Sequence, residues 1–571
     1  MPIEAQFPLD PQPFSNLNIK YLFFSFAFFP YLFFTFPLRR TIMKTKHPFQ
    51  TFLDKFIPEV AEKSRQLNKA FWILETTGSS DAADLKASLD NECRLLFHSK
   101  KTFGNLLKWD QDPSLKEPLL KRQLNVLIRA FKQNQIPKAL VKEISQKEAA
   151  LSQSYVEFRP KCDGKVFSEN EILDVLKNED NPEKRKKIWN ASKSIGEVLA
   201  PQILALVDLR NKAAASLGYS DYFKMQLDLQ EVNEKWLLDT LEDLSKKSDA
   251  AYGKVLHHIE EQQTSRFKVS SKELGPWAWS EPFCQGDPLD SRDLDALVAD
   301  IDIVERVQQF YDQIGFDVRS ILKRSDNYER PGKNQHAFCI NMDRKEDVRT
   351  LNNVKPSIRW LETVLHELGH AVYELGFCQE LPWLLRDPPH MITTEAMALL
   401  AGRQAYRVNT LKLLITGKAK NNKKLMQKAE ESLIRRQLIF SRWVLVMTHF
   451  ERELYRNPRQ NLNQLWWQMV EKYQKIRPPK GREGKSDWAA KYHMGLAPVY
   501  YFSYLLGEMF ASSIEDVLTN ATGSPDLISK KVAKVLGEKL FFPGNRMNWM
   551  DLIKHVTGKR LNAEAWLKQF A

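Results

Sequence analysis

The 571-residue chain has little cysteine. There are five, Cys93, Cys162, Cys284, Cys339 and Cys378, an odd number with no CxxC pair. That excludes a disulfide framework and points to reduced thiols in a cytoplasmic setting. Zinc-finger spacings, aromatic RNA-binding motifs, phosphate-cradling glycine loops and tandem repeats are also missing. No stretch rich in Gly, Ser or Pro divides the chain into independent catalytic domains, so residues 43–571 read as a single domain. Charge of one sign is not segregated either. The net charge is +13 and the isoelectric point about 9.2, but lysines and arginines alternate with acids, as in NEDNPEKRKKIWN (178–190). This describes a solvated basic surface and argues against a nucleic-acid partner. With 43% hydrophobic and 27% charged residues, the chain can bury a sizeable core and is not a disordered polymer.

One apolar run stands out. YLFFSFAFFPYLFFTFPL (21–38) is followed by Arg39, Arg40, Lys44 and Lys46. Its length is marginal for a membrane span, and Pro30 and Pro37 break the hydrogen bonding a span needs. A signal peptide is disfavoured, because Glu4 and Asp10 precede the run with only Lys20 and no small-residue cleavage site follows. Two readings stand. Residues 1–42 are a Phe-rich extension upstream of a native start at Met43, or the run is an anchor whose positive flank holds the rest on the cytoplasmic side. A cytoplasmic protein is expected, membrane-attached only if 21–38 is a real anchor.

From Phe49 onward the pattern is helical. LDKFIPEVAEKSRQLNKAFWIL (53–74) repeats apolar residues every three or four positions, and so do LLFHSKKTFGNLLKW, WLLDTLEDLSKKSDAAYGKVLHHIEEQ and IRRQLIFSRWVLVMTHFERELY. Breaks fall at 164–171, 275–288 and 477–487. HAFCINM (336–342) is the one good strand candidate. The fold is expected to be mainly α, with a small β element beside the helix that follows.

That helix carries the chemistry. Lys355-Pro356-Ser357 predicts its start, Trp360, Leu361, Val364, Leu365, Leu368, Val372 and Leu375 its apolar stripe, and Gly376 its stop. Within it LHELGH sets His366 and His370 four residues apart, which puts both imidazoles on one face, spaced to hold a single zinc ion. Glu367 projects from an adjacent face, where it can serve a water without being a ligand. A third ligand is needed. No further histidine follows in the three-histidine pattern, and MITTEAMALLAGR (391–403) offers Glu395, a lone acid in an Ala-rich apolar helix. Its alternative role is a helix N-terminal charge. Glu362 and Glu374, on the motif helix itself, are secondary candidates.

At this point the sequence resembles the angiotensin-converting-enzyme family of HExxH zinc peptidases (gluzincins). The resemblance rests on His366–His370 with Glu395, on HAFCINMDRKEDVRTL (336–351), on KYQKIRPP and on AAKYHMGLAPVYYFSYLLGEMF (489–510), and it extends from about Gly275 to Phe570, the active-site half (about 275–571). It implies a large two-lobed helical peptidase domain with a deep central cleft. It implies one Zn2+ held by His366, His370 and Glu395, with Glu367 as general base. His493 would donate to the oxyanion, and the catalytic tyrosine aligns with Tyr501, Tyr500 and Tyr504 remaining alternatives. Lys491 would hold the substrate's C-terminal carboxylate, and His336 and Ala337 its backbone, with Tyr500 also on the substrate side. The implied activity is hydrolysis of short peptides by Glu-assisted attack of a zinc-activated water, releasing C-terminal dipeptides; an endo-acting oligopeptidase, or a scaffold with a degenerate site, are the alternatives. Two departures stand out. A family glutamine that helps bind the terminal carboxylate is Trp279 here, and the acid expected four residues after the Glu ligand is Leu399.

Overall fold

The computed structural model describes residues 46–289, 292–524 and 527–570. The Phe-rich run therefore lies outside the described residues. The fold is mainly α, with two small antiparallel hairpins, Lys161–Cys162 with Lys165–Val166 and Phe338–Asn341 with Val348–Leu351. His47–Ala571 groups as one compact unit. Among the described residues no helix is long and apolar enough to cross a membrane.

The periodic stretches became helices with two interruptions that the pattern did not reveal. The run 95–109 breaks at Phe97, and Ser99 caps the next helix by accepting from the Thr102 N–H. The run 236–262 breaks at Ser248, whose hydroxyl donates to the Leu244 carbonyl and accepts from Arg442 of the long helix Lys423–Arg456. In both places the apolar stripe continues across the kink, so the period alone conceals it. HAFCINM delivers a strand over Phe338–Asn341, and Val348–Leu351, a strand of the same length that the pattern did not single out, pairs with it.

One large core runs from Leu151 to Trp566. A smaller one lies under the N-terminal helices, where Phe49, Leu53, Leu106, Leu124, Leu127 and Phe131 pack against Leu384. The N-terminal third is also fastened by Arg122. Its guanidinium donates to both Glu231 oxygens (2.7 and 2.9 Å) and to the carbonyl and side chain of Asn545 (3.1 and 2.6 Å). The first long helix, Pro48–Thr77, supports the Phe338 strand. Asn68 donates to the Asn341 carbonyl at 3.0 Å, and Phe71 and Trp72 pack on Phe338.

Candidate metal centre and peptide-binding site

The motif helix spans Ile358–Leu375. Ser357 caps it by accepting from the Trp360 N–H, and Gly376 ends it. The helix Met391–Gly402 crosses it closely. A Cβ added at Gly369, inside the LHELGH motif, would lie 2.9 Å from Ala398 Cα and 3.1 Å from the Met397 carbonyl oxygen. A third helix, Phe502–Thr522, presses on the second, and a Cβ at Gly507 would lie 3.1 Å from Glu395 Cβ. Two missing side chains thus let three helices approach until Glu395 faces the histidine pair.

His366, His370 and Glu395 form a group whose ligand atoms all lie within 4.8 Å of one another. The His366 and His370 rings are 4.9 Å apart, and His366 Nε2 is 3.9 Å from Glu395 Oε2. His370 Nδ1 meets Thr394 Oγ1 at 2.7 Å, which orients the ring and leaves Nε2 for a metal. Glu395 Oε2 is buried without a hydrogen-bond partner, as an oxygen reserved for a cation would be. Burial drives His366 down to about 4 and His370 well below its ordinary value, and it pushes Glu395 up to about 7. Burial, with Glu395 beside it, also raises Glu367 to about 8. Neutral imidazoles beside desolvated carboxylates lack positive charge, and a divalent cation would supply it. Two nitrogens and one carboxylate suit zinc with a position left open. The other two acids are committed elsewhere. Glu362 binds Tyr406 and Arg436, and Glu374 accepts from Asn341 at 3.0 Å.

The Phe338 strand runs beside this group. Burial raises the Cys339 thiol well above its usual range, with the Glu374 and Glu367 charges contributing, so the strand passes close to Glu367. His336 is exposed and Ala337 half-buried, just before the strand, with the His336 N–H donating to Asn334. A cavity of about 330 Å³ opens against the strand, lined by Cys339, Asn341, Arg344, Glu374 and Asp387 and by the first long helix.

The segment Lys491–Tyr504 approaches from the other side. Tyr500 donates to Glu395 Oε1 at 3.3 Å, and its ring packs edge-on against Tyr504 at 5.1 Å. Tyr501, the residue aligned with the catalytic tyrosine, instead lies against His493 (4.8 Å) and Trp443 (6.1 Å). The hydroxyl bonded to a candidate ligand is therefore Tyr500's. Both tyrosines precede the helix that begins at Phe502 and both rings lie against Tyr504, at 5.1 and 5.7 Å, yet it is the Tyr500 hydroxyl that reaches Glu395. Val499, just before them, takes a left-handed φ of 56°, and its N–H donates at 2.7 Å to the buried Glu451 carboxylate, which fixes the turn. His493 Nδ1 is buried without a partner, and burial, with Lys491 nearby, lowers the ring to about 4.

Lys491 is not a solvated charge. Its ammonium sits over the Phe283, Trp443 and Tyr501 rings at 5.1–5.8 Å and donates to Gln285 Oε1 at 3.2 Å. Trp279 is turned into the core, where its carbonyl accepts from Arg185. The amide beside Lys491 thus comes from Gln285, six residues further on, a residue that sequence reasoning missed. Its signal was a lone glutamine in an aromatic, non-helical stretch. Cys284 turns the chain with a left-handed φ of 55°, and Glu281 accepts from the Phe283 and Gln285 N–H groups. Leu399, where an acid was expected, touches the Gly507 position and contributes no charge.

Comparison with known proteins gives a consistent result. The family described as angiotensin-converting enzyme, a peptidase family, matches residues 43–270 and 302–571. Angiotensin-converting enzyme of Oryctolagus cuniculus is 23% identical over 424 residues, covering 67% of this chain and 32% of that protein. The enzyme of Sus scrofa is 23% identical over 418 residues, 66% of this chain and 31% of that protein. The angiotensin-converting enzyme-like protein Ace3 of Mus musculus is 23% identical over 426 residues, 66% of this chain and 56% of its own length. The chain thus spans about a third to just over half of these relatives. The match extends well upstream of Gly275, where residue patterns alone showed only helices. Its zinc-ligand motif, helical architecture and family match agree: the chain belongs to the angiotensin-converting enzyme family of metallopeptidases.

Proposed function

We propose that the chain is a zinc-dependent peptidase that shortens small peptides from a free C-terminus, releasing dipeptides. The observation that carries this is Lys491. It is a half-buried ammonium held by three rings and a glutamine, and among the described residues no carboxylate lies within ion-pair distance of it. A buried cation without a counter-charge is costly unless a ligand provides one, and a peptide's terminal carboxylate is the matching group.

Zinc held by His366, His370 and Glu395 would supply Lewis acidity, polarising the scissile carbonyl and acidifying a water to a pKa of about 7. Glu367, buried beside this centre, takes the water's proton as the C–O bond forms and hands it to the leaving amine as the C–N bond breaks. The Tyr500 hydroxyl donates a hydrogen bond to the developing oxyanion, with His493 as the second donor. The Phe338 strand and the preceding His336 and Ala337 align the peptide backbone, and Gln285 orients Lys491. The five unpaired thiols support a reducing, cytoplasmic setting.

The test is product analysis. Zinc-loaded protein is given free-acid and C-terminally amidated forms of the same peptides, with and without chelator, and the products are identified by mass. Dipeptides from the free acids, much slower turnover of amides and loss of activity with chelator are expected. Internal cuts made equally in both forms would replace this reading with an oligopeptidase.

A further inference from the structure

A second lysine shares Lys491's ring. Lys193, the last residue of the helix Pro182–Lys193, is only 3% exposed, and its ammonium lies 3.4 Å from the centre of the Phe283 ring. Phe283 is also one of the three rings under Lys491. Among the described residues Lys193 has no ion pair. The acids around it are occupied. Asp487 is held by the Arg482 guanidinium. Glu281 accepts from the Phe283 and Gln285 backbone and from the Gln285 amide. The Cys284 thiol stays protonated because burial raises it well above its usual range. A helix C-terminus and an aromatic face both attract a cation, yet neither neutralises one.

We infer that Lys193 and Lys491 together form a subsite for a terminal residue with two carboxylates, so that the preferred substrates are peptides ending in Asp or Glu. The α-carboxylate meets Lys491 and Gln285, and the side-chain carboxylate meets Lys193. These two groups are separated by the α-carbon and one or two methylenes, and the two ammonium groups lie 3.4 and 5.1 Å from the centre of the same ring. Burial lowers both lysines to about 8, with Asp487 partly offsetting this for Lys193 and Glu281 and Glu169 for Lys491. Both therefore remain mostly charged at neutral pH and lack a counter-ion. The inference rests on the C-terminal reading of Lys491 and adds the class of terminal residue.

The experiment compares free-acid peptides identical except for a last residue of Glu, Asp, Gln or Leu, using the zinc-loaded full chain with and without added chloride. The expected result is kcat/KM about tenfold higher for Glu than for Gln, a ratio that collapses in Lys193→Met. Removing an unpaired buried charge should also leave the melting temperature of the substrate-free protein unchanged or higher, which a purely structural lysine would not show. Equal handling of Glu and Gln by the native chain overturns the inference. So does chloride activation, lost in Lys193→Met, that is the same for every terminal residue, since the site would then hold a free inorganic anion. Binding of the same peptides to zinc-loaded Glu367→Gln provides a readout independent of turnover. If no peptide is cleaved by the native chain, the peptidase reading fails, while the affinity ratio of Glu- to Gln-ended peptides still decides the subsite.

Discussion

At the scale of single residues, the site separates groups that act on the scissile bond from groups that hold the substrate's end. Glu367 belongs to the first set. Glu367→Gln keeps the carboxamide in place and removes the proton acceptor, so kcat should fall by about 10²–10⁴ with zinc content unchanged by elemental analysis. The tyrosines can be distinguished by kinetics. Tyr500→Phe removes the hydroxyl that reaches Glu395 and should lower kcat by about 10²–10³. Tyr501→Phe leaves the ring over which Lys491 lies and should affect kcat far less. A larger loss at Tyr501 would restore the alignment-based assignment. For pH, the sign follows from Lys491. Burial lowers its pKa to about 8 from an ordinary 10.5. Between those values the unfolded chain binds the extra proton, so the substrate-free protein gains stability as pH rises through this window. Substrate binding moves the other way, because KM for free-acid peptides should rise above about pH 8 as the ammonium is lost, while KM for amides stays flat.

At the scale of elements, the metal group exists because three helices touch. Gly369→Ala puts a Cβ 2.9 Å from a backbone atom of the Met391–Gly402 helix. The helices must separate, at a cost of about 1–3 kcal/mol. Zinc affinity should drop at least about tenfold, because the His pair and Glu395 lie on opposite sides of that contact; this is measurable by competition with a chelator. Local sequence reveals elements of this kind well. The Ser357 cap, the apolar stripe, the Gly376 stop and the isolated Glu395 were all legible because each is a pattern within about twenty residues. The pairing of Gln285 with Lys491 was not, since it joins residues 206 apart in sequence. The orientation of Tyr500 against Tyr501 depends on where a helix begins, and helix boundaries are uncertain by a residue or two from pattern alone. The breaks at Phe97–Ser99 and at Ser248 escaped for the same reason, because an apolar helical period survives an interruption of one to three residues.

At the scale of the whole molecule, helical content and the strand beside the motif were legible in the residue pattern, whereas that strand's partner and the closing contacts between distant segments were not. A metal that ties two helices together stabilises the folded chain by mass action, by about 4 kcal/mol when free zinc is a thousandfold above its dissociation constant. Chelator should therefore lower the melting temperature by a few degrees and added zinc should restore it; no shift would mean that the group does not hold metal in solution.

The Arg122 clasp has its own bearing on how the protein is made. Its guanidinium waits for Asn545, near the far end of the chain, and the small core beneath the leading helices waits for Leu384. On the ribosome, the leading helices must keep apolar surface bare until Leu384 has been made, and Arg122 unclasped until Asn545 has. Such a nascent chain leans on chaperones, and truncation before residue 545 should give aggregates in place of a shorter working enzyme.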